Sequence, residues 1–112
     1  MNRAIAGIFL IWLSTLSAAA SVADEAVFDK NKGRIDAVYA RELKMNPGLQ
    51  GRVVLEMKIA PDGHVTNCRV VSSEITIAGF GDKLCERTRE FQFAPRPAAT
   101  TFTKELSFFA AG

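Results

Sequence analysis

The chain has 112 residues, 48% of them hydrophobic and 23% charged, with a formal net charge of +2. That length leaves room for one small domain, and a charge so near neutral excludes the dense basic face of a nucleic-acid binder. One histidine and two cysteines leave little for metal or nucleophilic chemistry.

The first residues, MNRAIAGIFLIWLSTLSAAASVA, give a short basic start at Arg3, an apolar run through Leu16, and then small residues. This is the pattern of an export signal, and Ser21-Val22-Ala23 satisfies the small-x-small rule for cleavage after Ala23. Ala18-Ala19-Ala20 is a second possible cut. The rival reading is an uncleaved anchor, since Ala4 to Ala23 is nearly long enough to span a bilayer. Its second half is rich in Ala and Ser rather than Leu and Ile. Cleavage would remove residues 1–23 together with the only tryptophan, Trp12. Residues 24–33 then read as a short leader, in which Asp24, Glu25 and Asp29 are simply acidic residues. Residues 34–112 form the domain.

NKGRIDAVYARELKMNPG predicts a helix. Ile35, Val38, Tyr39 and Leu43 recur at helical spacing, and Asn46-Pro47-Gly48 stops the run. Next comes GRVVLEMKIAPDGHVTNCRVV, two strands around a Pro61-Asp62-Gly63 turn. In the first strand Val53, Leu55, Met57 and Ile59 share one face, with Glu56 and Lys58 on the other. The second, His64 to Ser72, places Thr66, Cys68 and Val70 opposite Val65, Asn67, Arg69 and Val71, an alternation too weak to say which face is buried. GFGDKLCERTREFQF then predicts a loop and a second helix with Asp82 as its N-cap. Leu84, Cys85, Thr88 and Phe91 face inward, and Ala94-Pro95-Arg96-Pro97 ends the helix. The tail TTFTKELSFF predicts a third strand, with Phe102, Leu106 and Phe108 on one face and Lys104 the awkward member of that set. The order helix, strand, strand, helix, strand implies an α+β domain with two helices on one face of a three-stranded antiparallel sheet.

Both cysteines fall in the domain, seventeen positions apart, in a protein bound for an oxidising space. A Cys68–Cys85 disulfide follows, tying the second strand to the second helix. The alternative is a pair of buried free thiols packed as small hydrophobes. A redox-active pair would want Cys-x-x-Cys spacing, which is missing. His64 directly follows a tight turn and reads as a solvated residue. Along an extended strand it lies about 13 Å from Cys68, too far for proton transfer. Two cysteines and one histidine lack the ligand spacing of a zinc site. Lys83, Glu86, Arg87, Arg89 and Glu90 alternate in sign as a solvated helix face does. GFGD lacks the context of a phosphate loop. No catalytic residue, metal or cofactor is expected.

The run NPGLQGRVVLEMKIAPDGHVTNCRVVSSE, followed by a helix ending in EFQF, resembles the AgmX/PglI C-terminal domain, a family related to the C-terminal domain of TonB. The matching residues are Pro47 and Leu49 before Gly51-Arg52-Val53, then Asp62-Gly63 with Val65, then Val71-Ser72-Ser73. The likeness covers about Ile35 to Phe109. Family members often carry a cysteine before the tyrosine of the first helix, where this chain has Val38. Cys68 would replace it as the partner of Cys85. TonB itself shows Tyr-Pro, where Ala40 follows Tyr39 here. The chain also lacks the long Pro-rich spacer by which TonB-like transducers cross the periplasm. The resemblance therefore implies a periplasmic, non-catalytic binding module without the transmission. Its family binds an extended peptide at the edge of the last strand. By position that strand is Thr101 to Phe108, with Thr101, Phe102, Thr103, Lys104, Glu105 and Leu106 as the partner-binding set. The partner would be an envelope protein. The contrasting expectation is an inner-membrane-anchored accessory of a Ton- or motility-type complex, with membrane contact only if the N-terminal segment is uncleaved.

Overall fold

The computed structural model describes residues 22–109, so the expected signal, apart from Val22 and Ala23, lies outside them. Helix α1 covers residues 22–30, α2 Lys32–Leu43 and α3 Phe80–Thr88. The strands are β1 Gly51–Ile59, β2 Val65–Ser73 and β3 Thr100–Phe108. They form one antiparallel sheet in the order β2-β1-β3, with β1 in the middle. Among the described residues, no helix is long and apolar enough to cross a membrane.

The core follows from alternation. Val53, Leu55, Met57 and Ile59 of β1 are buried together with Phe102, Leu106 and Phe108 of β3. Against them pack Ile35, Val38 and Tyr39 of α2 and Phe80 and Leu84 of α3. The Tyr39 ring stacks 4.9 Å from that of Phe108, and its hydroxyl donates to the Leu49 carbonyl. The opposite sheet face is polar, and there Glu56 accepts a 2.9 Å hydrogen bond from Arg69 on β2.

The turn is fixed by a close approach. Gly63 has φ +92°, and a Cβ there would stand 2.0 Å from the Phe93 carbonyl oxygen. The Phe93 N–H donates to the Gly63 carbonyl at 2.8 Å, and Gln92 bridges to His64. The hairpin tip is thereby stitched to the segment that follows α3.

Four expectations are corrected. Residues 24–33 are not a plain leader: residues 22–30 are helical, and Phe28 is fully buried against Phe91 at 5.3 Å. The faces of β2 also differ from simple alternation. Val65 and Cys68 are the buried pair while Thr66 is exposed, because the register slips between Lys58 and Ile59 of the partner strand and leaves Thr66 as an extra residue. Finally, the N-cap of α3 is Gly79 at φ 82°, and Asp82 lies in the first turn without a capping bond. There its carboxylate still complements the helix dipole. The helix ends at Thr88, before the prolines. Phe91 and Phe93 are both buried, and residues two apart cannot share a helix face, so this segment runs extended.

The disulfide is present: Cys68 and Cys85 are joined with their Cα atoms 5.4 Å apart. Next to it, Val70 Cγ2 lies 2.6 Å from where a Cβ on Gly81 would be, so α3 sits close on β2.

Candidate functional site

The two outer strands of the sheet are not equivalent. Cys68 and Val70 of β2 lie under α3, and a groove between them is lined by Arg69, Asp82, Glu86 and Arg89. The disulfide holds the helix there. Strands β2 and β3 each pair with β1 alone among the described residues.

The direction of the β3 backbone groups can be read from β1. The Arg52 N–H and C=O both bond Glu74, on the β2 side. Backbone groups alternate along a strand, so Gly51, Val53, Leu55, Met57 and Ile59 turn theirs toward β3. The unbroken β1–β3 register pairs these with Phe108, Leu106, Lys104, Phe102 and Thr100. Thr101, Thr103, Glu105 and Ser107 therefore aim their N–H and C=O away from the sheet. All four side chains are exposed on the open face.

Of the six residues expected to bind a partner, Thr101, Thr103 and Glu105 thus supply free edge groups. Phe102 and Leu106 are buried in the core. Lys104 points to the helix face, where its ammonium bonds Glu25 at 2.7 Å and lies 3.6 Å from Asp29. The hydrogen bond it donates to the Glu25 carboxylate holds the ammonium above its usual pKa, against partial burial. The same nitrogen lies 5.5 Å from the Phe28 ring centroid, a cation–π distance.

Helix α1 is the part that sequence reasoning missed. Beyond the contacts of Glu25 and Asp29, its Asp24 carboxylate takes two hydrogen bonds from Arg96, at 2.7 and 3.0 Å. Both side chains are nearly buried, 7% and 8% exposed. Donating to the Asp24 carboxylate holds the guanidinium above its ordinary pKa. Arg96 also donates to Thr100 Oγ1 at 2.7 Å, at the start of β3. The available signal was the spacing of Asp24, Phe28 and Ile35, which continues the buried stripe of α2 backwards.

Elsewhere the surface offers little chemistry. His64 is exposed and pairs with Asp62, whose carboxyl is held below its usual value first by the His64 backbone N–H and then by the imidazole. Both thiols are consumed in the disulfide. A cavity of about 200 Å³ between α2 and α3 is lined by charges, and Glu42 there binds Lys83 at 3.0 Å. Among the described residues, no group of three His, Cys, Asp or Glu is placed to hold a metal.

Residues 37–108 match the family profile described as Gram-negative bacterial TonB protein C-terminal. A solution structure of the Pseudomonas aeruginosa TonB C-terminal domain is similar with a TM-score of 0.51 and 22% identity, over 63% of this chain and 76% of that one. That of the Helicobacter pylori TonB C-terminal domain has a TM-score of 0.50 and 18% identity, over 84% of this chain and 94% of that one. At those identities the likeness speaks for the fold. No curated protein sequence matches at a significant level.

Proposed function

The chain belongs to the TonB C-terminal family, whose members are non-catalytic protein-interaction domains, and from that premise we propose that it docks an extended segment of an envelope protein as a fourth strand beside β3. The observation that carries this reading is the row of outward N–H and C=O groups at Thr101, Thr103, Glu105 and Ser107. An edge of this kind forms main-chain hydrogen bonds with any chain that can lie extended against it. Strand β3 has high strand propensity and no proline. Within the family, the Gly51-Arg52-Val53 and Asp62-Gly63 pattern supports a place near the AgmX/PglI branch.

In this reading the protein is exported to the periplasm and its N-terminal segment is removed, so that the mature chain starts at Asp24. N-terminal sequencing of the exported protein should read Asp-Glu-Ala-Val-Phe. A chain still beginning at Met1 would make it an anchored protein instead.

The docking itself is tested by a photo-crosslinking residue at Thr103 in living cells. A discrete adduct is expected, and it should disappear with Thr101→Pro, which deletes one outward N–H at an edge position that tolerates proline. A folded, exported protein that gives no adduct would reduce β3 to a piece of core architecture.

A further inference from the structure

We infer that the segment docked on β3 is basic, carrying adjacent lysine or arginine side chains where it passes the middle of the strand. This rests on the edge-docking reading above and specifies its partner. A strand added beside β3 sends successive side chains to opposite faces of the sheet. On the open face the incoming residue stands beside Glu105, which is exposed and makes no ion pair within 4.0 Å among the described residues. On the helix face its neighbour meets the acidic side of α1, where Glu25 and Asp29 are 41% and 63% exposed. The cation paired with them, Lys104, is only 20% exposed and already lies between those two carboxylates. Each face of the free edge therefore carries one uncompensated negative charge.

Nearby cations do not cancel this. Arg52 on β1 is engaged by Glu74 at 3.6 Å, and Lys58 stands opposite Thr101, at the far end of the strand from Glu105. Opposite charges side by side across strands are stabilising and like charges are not, so an acidic segment is disfavoured on both faces. Charge complementarity of this kind selects the partner and speeds its arrival more than it tightens the complex.

The test uses the full chain in a non-ionic detergent and two short threonine–valine peptides, one with two central lysines and one with two central glutamates. Binding is followed by hydrogen-exchange protection of the amides at Thr101, Thr103, Glu105 and Ser107. The lysine peptide should bind roughly tenfold more tightly at low salt, with the preference shrinking as salt screens exposed pairs. Glu105→Gln should cut the preference without touching α1, and Glu25→Gln with Asp29→Asn should cut it further. Protection of the four amides by both peptides with equal affinity overturns the charge preference and leaves edge docking standing. If neither peptide protects them, edge docking falls and the inference falls with it.

Discussion

Lys104 interrupts the apolar alternation of β3, and in isolation it looks like an error in the strand. Its partners, Glu25 and Asp29, belong to a helix at the other end of the chain, so nothing local could reveal them. Arg96 is similar. Set between two prolines, it reads as loop, yet it forms the most buried ion pair described, with Asp24. A carboxylate removed from such a pair leaves a desolvated guanidinium behind. Asp24→Ala is therefore expected to lower stability by about 3 kcal/mol in urea unfolding. A loss well below 1 kcal/mol would mean that α1 leaves the domain readily and takes the pair with it.

At the level of elements, legibility tracked how local the cause was. Strand β1 could be read outright, because the alternation of Val53, Leu55, Met57 and Ile59 needs only its own residues. The Pro61-Asp62-Gly63 turn was equally plain. Strand β2 was not, because its faces depend on an extra residue at Thr66 that only the register with β1 exposes. The end of α3 was misread for the same reason: Phe91 and Phe93 are drawn extended by the hairpin tip, not halted by the prolines after them. The expectation of export and the cysteine count together were enough to pair Cys68 with Cys85, and the bond fastens α3 over β2. Closing a loop of that length contributes roughly 3 kcal/mol, so Cys68→Ser should lose about that much without reductant. With reductant present, variant and parent should unfold at similar urea concentrations. Equal stability without reductant would show the bond to be energetically idle.

For the whole molecule, the open edge of β3 was expected only through family resemblance, since no residue pattern in β3 says which of its sides is paired. The order β2-β1-β3 decides that, by placing β1 between a neighbour in sequence and a remote one. This has a kinetic consequence. Strands β1 and β2 can find each other across a tight turn, whereas β3 must wait for α3 and the segment after it, and distant contacts form slowly. Leu106→Ala should therefore mainly speed unfolding, while Val65→Ala should mainly slow folding, as measured by stopped-flow mixing in urea. The opposite partition would place β3 in the nucleus. If β3 does form last, a folding chain briefly offers the vacant side of β1 before it offers β3. A strand-shaped ligand that arrives early would then compete with the protein's own C-terminal strand, and the timing of encounter would decide which of the two completes the sheet.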